Sequence, residues 1–209
     1  VIICVEGIDG AGKNTLTRAL TAQIKAQQLA FPRYEESIHA QLAARGLRGD
    51  MGDLTDSAYA MATLFALDRH GVVDKLRAAT TSDDILLLDR YVASNAAYSW
   101  ARTEDETIVD WIADLEFGTL GLPRPDLQVL LDTSVELAAQ RAESRAQADE
   151  TRAKDLYESD GGLQARTCAA YRRLASASWA SPWLVAQPNE APDQLADRII
   201  AHISAQKNL

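Results

Sequence analysis

Cysteine is nearly missing from this 209-residue chain. Cys4 lies in an apolar strand-like run, Cys168 in a helical one, and no C-x-x-C spacing occurs. That scarcity argues against a disulfide framework or a thiolate metal site and leads us to expect buried free thiols in a reducing, cytoplasmic compartment. Basic residues are also few. Twenty-one Lys and Arg against 30 Asp and Glu leave a net charge of -9, which argues against nucleic acid or an anionic membrane surface as a partner, since both want a basic face. No run approaches the roughly 18 apolar residues of a membrane span, and "VIICV" is too short for a signal peptide. We therefore expect a chain that is neither exported nor anchored. Internal repeats and low-complexity tracts are lacking as well.

With 47% hydrophobic and 24% charged residues, the chain has the composition of a soluble globular protein, and its length suits a single domain over 1–209. "VIICVE" is a continuous apolar run that meets a glycine turn and then a helical pattern with Leu16, Leu20 and Ile24 four residues apart. "DDILLLDR" (83–90), "DLQVLLD" (126–132) and "PWLVAQ" (182–187) are further short apolar runs separated by long helical stretches. This alternation predicts an α/β fold around a parallel sheet buried on both faces. One interval fits poorly: the first helix reads on to about Gln28, leaving little chain for a second strand before "LAFPRY", as if residues were missing between Gln28 and Ala30. Late in the chain, "AAQRAESRAQADETRAKDLYESD" is polar and arginine-rich, and its stretch at about 143–155 reads as a short helical lid. Met61, Leu64 and Trp111 suit either a core or a dimer seam.

"GIDGAGKNT" (7–15) carries the clearest chemistry. G-x-x-x-x-G-K after a buried strand and before an amphipathic helix is a phosphate-binding P-loop. The backbone N–H groups from Gly10 to Thr15 (Gly10, Ala11, Gly12, Lys13, Asn14 and Thr15) are expected to wrap the phosphates of ATP, with the Lys13 ammonium reaching their β and γ oxygens and Gly7 and Asp9 also at the ATP site. Asn14 stands where Ser or Thr normally offers magnesium a hydroxyl, and an amide is a poorer partner for so hard a cation. The metal must then look elsewhere, with Asp9, Glu158 and, through water, Asp89 as candidates. Asp89 and Arg90 end the strand "ILLLDRY" at the carboxyl edge where α/β proteins bind ligands. Asp89 resembles a Walker-B acid, and Arg90 carries a bidentate fork for a phosphate. In "YVASNAAYS", Tyr91, Ser94, Asn95 and Tyr98 share one helix face, polar where a core face would be apolar. Phe65 and Arg69, four apart in "ATLFALDRHG", offer an aromatic plane and a guanidinium.

Taken together, "EGIDGAGK", "FPRY", "YAMATLFALDR", "DRYVASNAAYS", "GLPRPD" and "YESD" resemble, in order, the motifs of thymidylate kinases of the actinobacterial branch. The resemblance implies a P-loop fold with a five-stranded parallel sheet, a homodimer, and conversion of dTMP and ATP to dTDP and ADP with Mg2+. It implies that Phe65 stacks on thymine, that Arg69 and Asn95 read its edge, and that Arg90, Asp9 and Tyr34 order the monophosphate, with Phe31, Ser94 and Tyr157 also at the dTMP site. Tyr98 would sit against the deoxyribose and disfavour a ribose hydroxyl. Arg33 would orient the acceptor. With only Asn14 offered by the P-loop, charge neutralisation falls to Arg145, Arg152 and Lys154 of the lid, where Ala148 and Lys154 stand in place of further arginines. Glu158 matches a magnesium-associated acid.

Because the acceptor is a phosphate already largely deprotonated near neutral pH, the reaction needs positioning and charge neutralisation but no general base. His39, His70 and His202 are accordingly incidental. Alternatives are another deoxynucleotide or deoxynucleoside kinase, for which Glu6 or Asp89 would serve as base, and a catalytically impaired nucleotide-binding protein. A GTP-binding switch is disfavoured, because the chain has no N-K-x-D guanine reader.

Overall fold

A computed structural model describes residues 1–148, 157, 160–187 and 189–207, without the side chains of 142–148 and 206–207. Five parallel strands lie in the order β2-β3-β1-β4-β5. They are β1 (Ile2–Glu6), β2 (Ala26–Ala30), β3 (Ile85–Asp89), β4 (Leu127–Leu130) and β5 (Trp183–Val185). Alternation along β1 splits the core in two. Ile2 and Cys4 face a large cluster with Leu86, Leu88 and Leu130, while Ile3 and Val5 face a second with Leu87 and Val129. Helices α1 (Lys13–Gln23) and α9 (Pro192–Lys207) cover the second face through Leu16, Leu20, Leu195 and Ile199. The first face is covered chiefly by α5 (Val92–Thr103), α6 (Thr107–Ala113) and α8 (Gly161–Ser176). The inner strands β1, β3 and β4, buried on both faces, read as unbroken apolar runs, and the edge strand β5, only partly buried, was visible as a short apolar run as well.

The remaining strand corrects the reading of the first helix. α1 stops at Gln23, Ile24 takes an extended conformation at φ -130°, and Ala26–Ala30 pairs with β3 as an edge strand. Gln27 and Gln28 are exposed. Glutamine is a good helix former, and this edge strand, AQQLA, shows no apolar run, so local preference pointed the wrong way. The sheet is complete without additional chain between Gln28 and Ala30.

Helices α2 (Ile38–Leu47), α3 (Ala58–His70) and α4 (Val73–Thr80) fill the crossover from β2 to β3. Met61 is core, packed with Ala43 and Leu47. After α6 the chain makes a π-helical turn, Asp114–Thr119. Helix α7 (Val135–Ala148) follows β4 and contains the start of the expected lid. Residues 149–155 of that lid lie outside the described residues. Among the described residues, no helix is long and apolar enough to cross a membrane.

Candidate active site

The carboxyl ends of β1 and β3 open into a cleft of about 1550 Å³ that runs from the P-loop to α2 and α3. Its floor is the turn between β1 and α1. Gly10 has φ +85°, and a Cβ there would lie 2.1 Å from the carbonyl oxygen of Ala138 on α7, so only glycine fits. Gly12, at φ +104°, caps α1, whose first turn contains no acid and presents free N–H groups to an anion. Lys13 is 8% exposed and donates to the carbonyl oxygens of Gly7 and Ile8, at 3.2 and 3.1 Å. Burial, aided by the nearby charge of Arg90, pulls its ammonium down to about 8.

Arg90 organises the next layer. It adopts φ 67° and donates to Asp9 Oδ1 at 2.7 Å, to the Gly7 carbonyl at 3.0 Å and to Ser94 Oγ at 3.2 Å. Its guanidinium carbon lies 5.4 Å from the Tyr98 ring centroid, and the Tyr98 hydroxyl donates to Asp9 Oδ2 at 3.2 Å. Burial by itself would raise the Asp9 carboxyl, but Arg90 and Lys13 overcome it and hold the group well below the usual carboxylate range. Burial pushes the Tyr98 phenol up, with Asp9 adding to the effect. Beneath them, the fully buried Glu6 accepts from the Tyr91 backbone N–H (2.8 Å), Ser94 Oγ (2.6 Å) and the Tyr171 hydroxyl (3.0 Å). Burial raises the Glu6 carboxyl, partly offset by those bonds.

The far wall is a second network. Arg69 forms a bidentate pair with Glu116, Nε to Oε2 at 2.6 Å and Nη2 to Oε1 at 2.7 Å. Asn95 Nδ2 donates to the Ala62 carbonyl at 3.0 Å and to Glu116 Oε1 at 2.7 Å. Phe65, half-buried, lines the cleft beside them. Above, Tyr157 stacks on Tyr98, with ring centroids 6.1 Å apart and planes 13° off parallel, and Arg102 donates to its hydroxyl.

Most sequence-predicted side chains therefore meet in one cleft. Its lining includes Asp9, Lys13, Asn14, Thr15, Phe31, Tyr34, Phe65, Arg69, Asp89, Arg90, Ser94, Asn95, Tyr98 and Tyr157. Two do not join them. Arg33 is turned onto Asp68, with Nε to Oδ1 at 3.1 Å and Nη2 to the Asp68 carbonyl at 2.7 Å. Tyr91 is buried, its hydroxyl bonded to the Pro123 carbonyl at 3.0 Å. Arg145 lies within α7 with its side chain outside the described set, as are Arg152, Lys154 and Glu158 entirely. None of the three histidines lines the cleft.

Sequence reasoning missed Glu116, Tyr171 and Arg102, and also Arg141, which reaches the Ala11 carbonyl at 3.4 Å. Arg141 stands one turn before Arg145 and was findable by that spacing. Glu116 is one of three acids in the amphipathic stretch "DWIADLEFG", with Asp110 and Asp114, and nothing there singles it out or hints at its partner 47 residues upstream. For metal binding, Asp9 has both oxygens engaged, whereas Asp89 Oδ1 is buried with no hydrogen-bond partner among the described residues. No group of three or more His, Cys, Asp or Glu side chains suited to a metal exists among the described residues.

The profile of the family described as thymidylate kinase matches residues 5–167. The thymidylate kinase of Mycobacterium tuberculosis is 48% identical over 204 residues, covering 94% of this chain and 95% of that protein. A probable thymidylate kinase of Thermococcus onnurineus is 31% identical over 184 residues, covering 84% of each chain. Among solved structures, the thymidylate kinase of Candida albicans superposes with a TM-score of 0.75 at 21% identity, covering 99% of this chain and 92% of that one. The deoxyadenosine kinase of M. mycoides superposes at 0.67 with 15% identity, covering 98% and 100%. Both of these share the fold. With its P-loop, its polar cleft and nearly half its residues in common with one of these kinases, the chain belongs to the thymidylate kinase family.

Proposed function

We propose that the cleft binds ATP along the P-loop and dTMP across Arg90 to Arg69, and that the γ-phosphoryl group passes between them. An oxygen of the dTMP phosphate attacks the γ phosphorus, the bond to the bridging oxygen breaks, and ADP departs with that electron pair. The observation that carries this reading is the presence of two polar groups in one cleft: Lys13, Arg90 and Asp9 at the P-loop, and Arg69 and Asn95, backed by Glu116, at the far wall. A monophosphate with a second pKa near 6 needs no base to become a nucleophile. Lys13 and Arg90 neutralise charge on the transferring and accepting phosphates, and Phe65 supplies the face on which the base stacks. Arg141 supports the P-loop, while Arg145, Arg152 and Lys154 are assigned to charge neutralisation from the lid. Arg33 acts through Asp68 and not on the acceptor.

Mg2+, when bound, would supply charge neutralisation on the phosphates of the nucleotide. Asp89, with its unpartnered buried oxygen, is the described carboxylate best suited to hold a water of that ion. Glu158 is a second candidate. Asp9 is better read as the anchor of Arg90 than as a direct ligand. The resemblance also favours a homodimer, testable as a mass twice 22.8 kDa by light scattering. Two free buried thiols fit a reducing compartment such as the cytoplasm.

ADP release with ATP, Mg2+ and a panel of dTMP, dUMP, dCMP, dGMP, AMP and thymidine tests the reading. Turnover with dTMP of about 1 to 100 per second, far above the others, is expected. Thymidine outpacing dTMP would make the enzyme a nucleoside kinase. Binding of both nucleotides without turnover would make it a nucleotide-binding protein.

A further inference from the structure

The Arg69–Glu116–Asn95 network does more than hold the wall together. Glu116 is 0% exposed, Arg69 3% and Asn95 5%, and Glu116 comes from the π-helical turn at 114–119, a geometry frequent at functional sites. A side-chain amide can face either way, and its neighbours decide which. Here both neighbours of Nδ2, the Ala62 carbonyl and Glu116 Oε1, only accept hydrogen bonds. Both amide hydrogens are used, and a flipped amide would set oxygen against oxygen twice. No hydrogen bond among the described residues uses Asn95 Oδ1, which is left for the cleft that Asn95 lines. Glu116 likewise takes Nε and Nη2 of Arg69 and leaves the Nη1 donors. The wall thus presents one donor beside one acceptor. A pyrimidine whose edge pairs a carbonyl with a ring N–H complements it; cytosine, with an amino group and a bare ring nitrogen there, opposes it at both atoms.

We propose that Glu116 is a positioning residue that sets base preference, by locking the Asn95 amide and the Arg69 guanidinium into an acceptor-and-donor pattern that accepts an imide edge and rejects an amidine edge. It touches no substrate and acts only through those two side chains. The inference rests on reading this wall as the base subsite.

The test is Glu116→Gln, which removes the charge and sets an amide donor either against Arg69 Nε or, with the amide turned over, against Arg69 Nη2 and Asn95 Nδ2 together, so the wall loses an acceptor in both orientations. With kcat and KM measured separately, the KM for dTMP and dUMP should rise together by at least about tenfold, because a site built to hydrogen-bond its substrate loses most when that pattern is spoiled. The KM for dCMP should move less, so the dTMP to dCMP ratio of kcat/KM narrows, while the KM for ATP holds. Glu116→Asp retains the charge on a side chain too short to reach both partners, and it should narrow the same ratio to a smaller degree. It decides the question if Glu116→Gln does not fold. All acceptors falling by one common factor, or an unchanged KM for dTMP in either folded variant, would overturn the proposal. Asn95→Ala separates the two levels of argument. If it leaves the KM for dTMP untouched, the base-subsite reading fails. If it raises that KM while the Glu116 variants do not, only the role of Glu116 fails.

Discussion

Arg90 sits at φ 67°, a left-handed conformation that costs a non-glycine residue of order 1–3 kcal/mol. Its bonds to Gly7, Asp9 and Ser94 hold it there, and the turn aims the guanidinium back over the P-loop. Lys13, beside it, carries a pH signature. Its pKa of about 8 in the free protein lies below the ordinary value near 10.5. Between those values the unfolded chain binds a proton that the folded chain does not, so this group makes stability rise with pH across that window. A polyphosphate next to Lys13 favours the charged form and reverses the depression. Nucleotide binding should therefore take up about half a proton at pH 8 and almost none at pH 6.5. Calorimetry in two buffers of different ionisation enthalpy reads this directly. Equal heats at pH 8 would mean that Lys13 is already charged before ATP arrives.

At the scale of elements, α5 is the organising helix of the cleft. Ser94, Asn95, Tyr98 and Arg102 follow its 3.6-residue repeat onto one face, while Ala93, Ala96, Ala97 and Trp100 pack into the core. That division was legible because polar side chains at helical spacing are a poor choice for a buried face. The contact of α7 with the P-loop was not, because it joins segments 128 residues apart. It makes a sharp prediction for glycine. Gly10→Ala combines an unfavourable φ with a methyl group driven into the Ala138 carbonyl, whereas Gly49, at φ +82°, has nothing within 4 Å of an added Cβ. Gly49→Ala should cost only the backbone penalty of about 1–3 kcal/mol. Gly10→Ala should cost more in thermal melts and should also weaken ATP binding. Equal melting shifts with ATP affinity intact would show that α7 yields without consequence.

The whole molecule places β1 at the centre of the sheet, between β3 and β4, so the P-loop emerges where both neighbours end. Cys4 lies in that central strand at 0% exposure, and burial raises its thiol well above the ordinary range. A thiol so placed reacts only after the sheet opens. Alkylation of Cys4 should therefore follow global unfolding, with a denaturant dependence equal to that of the equilibrium transition, and ATP with dTMP should slow it further. Labelling at a rate insensitive to denaturant would reveal a local opening of the central strand. The net charge of -9 is set against a cleft lined by Lys13, Arg18, Arg45, Arg48, Arg69, Arg90, Arg102 and Arg141. An acidic protein can thus hold polyanionic ligands, because the basic residues converge at one place.

By itself the sequence determined the P-loop, four of the five strands, the polar face of α5 and the family, since each rests on short-range patterns: glycine spacing, unbroken apolar runs, helical periodicity and ordered motifs. Only the tertiary structure decided that the glutamine-rich stretch after α1 is an edge strand, because pairing with β3 outweighs a weak helical preference. Only it turned Arg33 away from the cleft to Asp68, gave Asp9 to Arg90 and Tyr98, and set Glu116 behind Arg69 and Asn95. Those are choices of partner among distant charges. Burial and geometry make them, and nothing in the local order of residues encodes which carboxylate a given arginine will meet.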